Sequence, residues 1–103
     1  MRGAKQRIID TVTTWPGVST GPGRFGATAF KLESGREVGH VHGDSVVDIP
    51  CRKAQCAEWI AAGRAERHRF APDFGVSVFL KKEEDVKNAL ELLRESYDLK
   101  SRI

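Results

Sequence analysis

The sequence has few of the residues that build disulfide-stapled or membrane-spanning proteins. It contains two cysteines in 103 residues, too few for a disulfide framework or a cysteine-ligated zinc cluster. No apolar run approaches the roughly 18 residues that a transmembrane helix needs. The first residues, Met-Arg-Gly-Ala-Lys-Gln-Arg, do not lead into the apolar stretch of a signal peptide. These absences favour a soluble protein of the cytoplasm.

The two cysteines are not expected to pair. Cys51 and Cys56 lie in a segment that we predict as helical. A spacing of five does not place two side chains on the same face of a helix, as three or four would. We therefore expect no disulfide, and a reducing compartment agrees with that expectation.

The overall composition is that of a globular domain. Hydrophobic residues make up 40% of the chain and charged residues 30%, and we expect one domain over residues 1–103. The net charge of +3 permits binding to nucleic acid without requiring it. The one dense internal basic cluster, Arg64, Arg67 and Arg69, is more typical of a solvated surface.

Apolar spacing predicts three helices. Ile8, Ile9 and Val12 recur at intervals of three and four, which predicts a helix over residues 5–14. Pro50 suits the first turn of a second helix over residues 51–62. The acids at 83–85 favour the start of a third helix that continues to Tyr97. The expected packing face of the second helix consists of Ala54, Ala57, Ile60 and Ala61.

Between the helices the sequence alternates in the manner of strands, and Gly and Pro mark a loop at residues 17–23. The predicted strands are 24–32, 37–42, 45–49, 64–70 and 74–80. The resulting order is α-β-β-β-α-β-β-α. This order predicts an α+β fold, with an antiparallel sheet of about five strands and helices packed on one face.

The polar residues are concentrated around the predicted second and third strands. His40 and His42 are two apart, so they point to the same side of a strand. Such a pair can present two imidazoles to one metal or one substrate, and His68 could join them from a later strand. The alternative is structural, with the imidazoles covering a half-buried face and bonding to backbone carbonyls.

These residues define a predicted ligand-binding set, completed by nearby charged side chains. The set is His40, His42, His68, Arg36, Arg67 and Asp44. Glu37 and Asp48 lie in the same stretch, and we interpret Asp48, two residues before Pro50, as a helix cap. The sequence leaves catalysis, a metal and a cofactor open. If a reaction occurs, a histidine is the plainest general acid or base.

Several stretches of the chain resemble, in matching order, the motifs of the luciferase-domain family. They are Trp15–Val18, Arg36–Asp44 with Asp48–Pro50, Gly63–His68, and Glu84–Val86 with Leu92–Tyr97. The resemblance implies a small domain of that family and does not imply light emission, because nothing in the chain supplies luciferin chemistry. Where the family often has Pro, an acid and then Ser-Gly-Trp, this chain has Pro-Asp-Phe-Gly-Val at residues 72–76.

Together these features lead to an expected function. We expect the protein to bind a polar or anionic small molecule at a histidine-containing cleft. The alternative is a non-enzymatic module that contacts nucleic acid or protein through its basic surface.

Overall fold

The computed structural model describes residues 1–102, and it places three helices against a six-stranded antiparallel sheet. The predicted α+β class is confirmed, with six strands in place of about five. In chain order the elements are α1 Ala4–Val12, β1 Ser19–Pro22, β2 Thr28–Lys31, β3 Glu37–His42, β4 Val46–Pro50, α2 Lys53–Ala61, β5 Glu66–Arg67, β6 Gly75–Phe79 and α3 Glu83–Lys100.

The strands are ordered β1-β2-β3-β4-β6-β5 across the sheet. Each neighbouring pair is antiparallel. The chain leaves the sheet after β4, forms α2 and the edge strand β5, and returns as β6 beside β4. In this register His40 of β3 pairs with Asp48 of β4, which pairs with Ser77 of β6.

The core lies between the sheet and the helices. Successive strand residues point to opposite faces, and alternate residues of the three central strands are buried against α1 and α3. The buried strand residues include Val41, Val47, Ile49, Val76 and Val78, and the helices contribute Ile8, Val12, Val86, Leu92 and Leu93.

The strand predicted over residues 64–70 is reduced to Glu66–Arg67, and two other predictions for the sheet also differ from the structure. The stretch 17–23 was predicted as a loop, yet it contains β1, whose Ser19 pairs with Lys31 of β2. Gly and Pro residues are compatible with a strand at the edge of a sheet, where one side needs no partner. The strand predicted from residue 24 begins at Thr28, because Arg24–Gly26 form a 3₁₀ turn.

The packing face predicted for α2 is wrong. Its three alanines are exposed, and the buried residues of this helix are Cys56 and Trp59. An indole ring removes far more apolar surface from water than alanine methyl groups do. The orientation of α2 therefore follows Trp59, which also donates its Nε1 hydrogen to Glu95 of α3.

The prediction that the cysteines do not pair is also wrong. Cys51 and Cys56 form a disulfide, with an S–S distance of 1.96 Å and Cα atoms 5.7 Å apart. The helical-face argument fails because α2 begins only at Lys53 and the backbone at Arg52 is extended. Cys51 thus lies outside the helix, and its Cα is within ordinary reach of a cysteine in the first turns.

Within residues 1–102, no helix combines the length and the apolar character that a membrane span requires.

Gly39 permits the close approach of α3 to β3. A methyl group at this position would lie 2.5 Å from Leu93 Cδ2 and 3.1 Å from the carbonyl oxygen of Asp48. Leu93 is fully buried, so its side chain has no free space into which to move.

We therefore predict that Gly39→Ala lowers the free energy of unfolding by about 1–3 kcal/mol, as overpacked cores do. Gly21→Ala is the matched control, because a methyl group at this strand position meets nothing within 4 Å. Urea denaturation of both variants measures the difference. Equal stability of the two variants would contradict the account of the helix–sheet contact.

Candidate functional site

The candidate site lies on the face of the sheet opposite the helices. Val41 and Val47 point into the core, so the residues that alternate with them point to the other side. His40, Asp48 and Ser77 follow one another across three adjacent strands on this open face. The strand pattern of β3, β4 and β6 therefore brings these three polar side chains together.

The carboxylate of Asp48 is the centre of the cluster. Asp48 is only 6% exposed, and its Oδ1 accepts a hydrogen bond of 2.5 Å from the Ser77 hydroxyl. Its Oδ2 lies 3.4 Å from Nε2 of His40, 3.0 Å from Nε2 of His42 and 3.4 Å from Nε2 of His68. All three histidines of the chain therefore converge on one carboxylate oxygen.

His40 bridges two carboxylates. Its Nδ1 is 3.0 Å from Glu37 Oε2, while its Nε2 faces Asp48. Hydrogen bonding to Asp48, and then to Glu37, raises the pKa of His40 to about 9 despite the opposing effect of burial. Burial also raises the pKa of Asp48, but hydrogen bonds from His40 and Ser77 outweigh it and hold that pKa below its usual value.

His68 reaches the cluster from the segment after β5. Its Nδ1 accepts hydrogen bonds from the backbone N–H groups of Phe70 and Ala71, each 3.1 Å long. An accepting Nδ1 is unprotonated, so the neutral ring carries its hydrogen on Nε2, the atom that faces Asp48. Gly75 leaves room for this ring, since a methyl group there would lie 3.2 Å from His68 Cβ.

The cluster is open to solvent along its imidazole edges. The side chains of His40, His42 and His68 are 19%, 25% and 21% exposed. A cavity of about 380 Å³ between the start of β5, the second half of β6 and the first turns of α3 meets the cluster at Ser77, but no histidine lines it. The histidines thus lie on an open sheet face beside a cavity, rather than at the bottom of a cleft.

The other members of the predicted ligand-binding set lie elsewhere. Asp44 accepts hydrogen bonds from the backbone N–H groups of Gly3 and Lys5 at the start of α1. Arg36 donates to the carbonyl oxygen of Lys100. The guanidinium of Arg67 lies 4.0 Å from Asp73. These contacts serve the fold, and a ligand-binding role for the three residues stays a prediction.

The sequence reading missed the importance of two residues. Asp48 was interpreted as a helix cap, which is wrong, because it lies within β4 and contacts the imidazoles. Ser77, which orients Asp48, was not singled out. In each case a single polar residue stands between two buried apolar neighbours, and this alternation indicates the open face of the sheet.

In a comparison with known protein families, the family model described as Luciferase domain matches residues 35–96 of this chain. The matched range covers more than half of the chain and contains all three histidines with Asp48. No curated protein and no solved structure matches the chain.

The two carboxylates beside His40 predict a particular pH dependence of stability. The pKa of His40 in the folded protein, about 9, lies above its ordinary value of 6.5. Its stabilising contribution is therefore complete below about pH 6.5 and is lost as the pH rises through 9. We expect Glu37→Gln to reduce this loss, because the variant removes one of the two charges that favour the protonated ring.

Urea denaturation of chelator-treated protein between pH 6.5 and pH 9 would measure the effect. Glu33→Gln, in the exposed turn before β3, is the matched control and should behave like the unaltered protein. The same pH dependence in all three proteins would show that Glu37 does not stabilise the charged ring.

Proposed function

Because this chain belongs to the luciferase-domain family and gathers its three histidines on a solvent-reaching face, we propose that it binds a polar or anionic small molecule there. The observation that carries the proposal is the convergence of three imidazoles on the Asp48 carboxylate. Burying an ionised carboxylate costs free energy unless hydrogen bonds and opposite charge offset it. The apolar core on the other face of the sheet does not require such a cluster.

The surroundings of the cluster favour an anionic ligand that also has an apolar part. The cavity that begins at Ser77 is lined by Lys81 and Lys82, which can attract an anion. Phe79 lines the same cavity and is 43% exposed. Phe79 also shares a row of the sheet with Val46 and His42, so Val46 and Phe79 extend the face beyond His42 as an apolar surface.

The alternative, a basic surface for nucleic acid, receives less support. Arg7, Arg64 and Arg94 lie 2.6 Å, 2.8 Å and 3.1 Å from Glu83, Glu95 and Asp98 respectively. Arginines that are paired with carboxylates offer less positive charge to a phosphate backbone. Binding of nucleic acid or protein stays a prediction.

The cytoplasmic location also stays a prediction. The low cysteine count supports it, whereas the Cys51–Cys56 disulfide does not, because such bonds are uncommon in a reducing compartment.

Phenyl phosphate is a suitable probe of the proposed ligand class. Inorganic phosphate, which lacks the aromatic ring, is the comparison ligand. We expect phenyl phosphate to shift backbone amide resonances of β3, β4 and β6 in an NMR titration. Phe79→Ala should weaken its binding by roughly tenfold, since the variant removes an aromatic contact. Inorganic phosphate should be unaffected by that change.

Two substitutions serve as controls. Leu99→Ala removes an apolar side chain of almost the same exposure, 42%, from α3, and Lys87→Ala removes a charge that does not line the cavity. Neither should alter binding. Resonance shifts confined to residues outside the histidine cluster and the cavity, or unchanged binding in His42→Gln, would argue against the site.

A further inference from the structure

The charges of the cluster favour a cation at its centre. An imidazole is uncharged when its ring nitrogen is free to act as a ligand. With neutral imidazoles, the cluster carries the negative charges of Glu37 and Asp48, and Asp48 is nearly buried. A divalent cation would balance this charge at the point where the ring nitrogens meet the carboxylate.

The distances match those between ligands of a single metal ion. Nitrogen and oxygen ligands bound at about 2.0–2.2 Å lie about 3.0 Å apart at right angles and about 3.4 Å apart at tetrahedral angles. The Nε2 atoms of His42 and His40 lie 3.0 Å and 3.4 Å from Asp48 Oδ2. A ligand atom from each of these three residues lies within 4.8 Å of the other two.

The surrounding hydrogen bonds orient the three side chains for coordination. Glu37 lies against Nδ1 of His40, and an Nδ1 hydrogen donated to it fixes the ring, so that Nε2 offers its lone pair to an ion beside Asp48 once the ion has displaced the Nε2 proton. Ser77 occupies Oδ1 of Asp48, which leaves Oδ2 for the ion. Partners of this kind are typical around metal-binding histidines and carboxylates.

His68 has a different role in the cluster. Since its Nδ1 accepts two backbone hydrogen bonds, its Nε2 carries the hydrogen and offers no lone pair to an ion. His68 therefore supports Asp48 from the side and is a positioning residue. Three protein ligands remain, and a site with three ligands keeps a position open for water or another molecule, as in catalytic zinc sites.

We infer that His40, His42 and Asp48 bind a divalent transition-metal ion with an open coordination position. Imidazole nitrogen combined with one carboxylate suits Zn²⁺ or Fe²⁺ rather than Mg²⁺ or Ca²⁺, which prefer oxygen ligands. The inference rests on the proposed function in one respect: the polar group of the small molecule would occupy the open position. Metal binding itself does not require that molecule.

The test uses the full chain without a histidine tag, freed of metal by a chelator and titrated with Zn²⁺ in a calorimeter. We expect one Zn²⁺ per chain and no comparable binding of Mg²⁺. His42→Ala should weaken Zn²⁺ binding by more than about 100-fold, because it removes a ligand, whereas His68→Gln should weaken it by about tenfold, as loss of a supporting residue does.

Co²⁺ gives a second readout, because its visible absorption reports on the coordinating atoms. The spectrum should appear with the unaltered protein and with His68→Gln, and it should be lost with His42→Ala. Circular dichroism would check that each variant is folded, and His42→Gln would replace His42→Ala if the latter is not.

Several results would overturn the inference: no Zn²⁺ binding by the unaltered protein, equal binding of Mg²⁺, or an equal loss in His68→Gln and His42→Ala. Phenyl phosphate binding without any Zn²⁺ binding would remove the metal and leave the proposed function. Zn²⁺ binding with no response to phenyl phosphate, in chelator-treated or zinc-loaded protein, would support the metal and remove the proposed ligand class.

Discussion

The structure of the open sheet face depends on the nearly buried carboxylate of Asp48. Taking an ionised carboxylate out of water costs on the order of several kcal/mol unless the protein supplies hydrogen bonds and opposite charge. Here Ser77 satisfies one oxygen, and three imidazoles surround the other. Each of these partners comes from a different stretch of the chain than Asp48, so the site exists only when β3, β4, β6 and the segment after β5 are assembled.

Two glycines allow the two faces of the sheet to be used so differently. Gly39 has no side chain on the core face, which lets Leu93 of α3 pack directly against β3. Gly75 has none on the open face, which lets the His68 ring lie over β6. Because the faces alternate along each strand, the same short strands can carry a dry apolar core on one side and a polar cluster on the other.

The last turns of α3 tie the core to the strands that carry the site. Ser96 donates a hydrogen bond to the carbonyl oxygen of Val38, and the Lys100 amine donates to the carbonyl oxygens of Glu37 and Pro50. Burial lowers the pKa of Lys100 to about 8, an effect that the charge of Glu37 opposes and that of Arg36 reinforces. These bonds hold the starting end of β3 and the finishing end of β4 close together. The geometry of Glu37, His40 and Asp48 thus depends on the helix packed behind them.

Local periodicity and strand alternation are sufficient to predict the three helices, most of the strands and the placement of His40 and His42 on one side of β3. The role of Asp48 was not predictable in this way. An Asp shortly before a Pro can cap a helix, and only the extent of β4 through Pro50 shows that Asp48 is a strand residue. The disulfide and the face of α2 likewise depended on where that helix begins and on what covers Trp59. Only the tertiary structure brought His68 and Ser77 to Asp48, because residues so distant in the chain meet through strand order and register, which local sequence patterns do not encode.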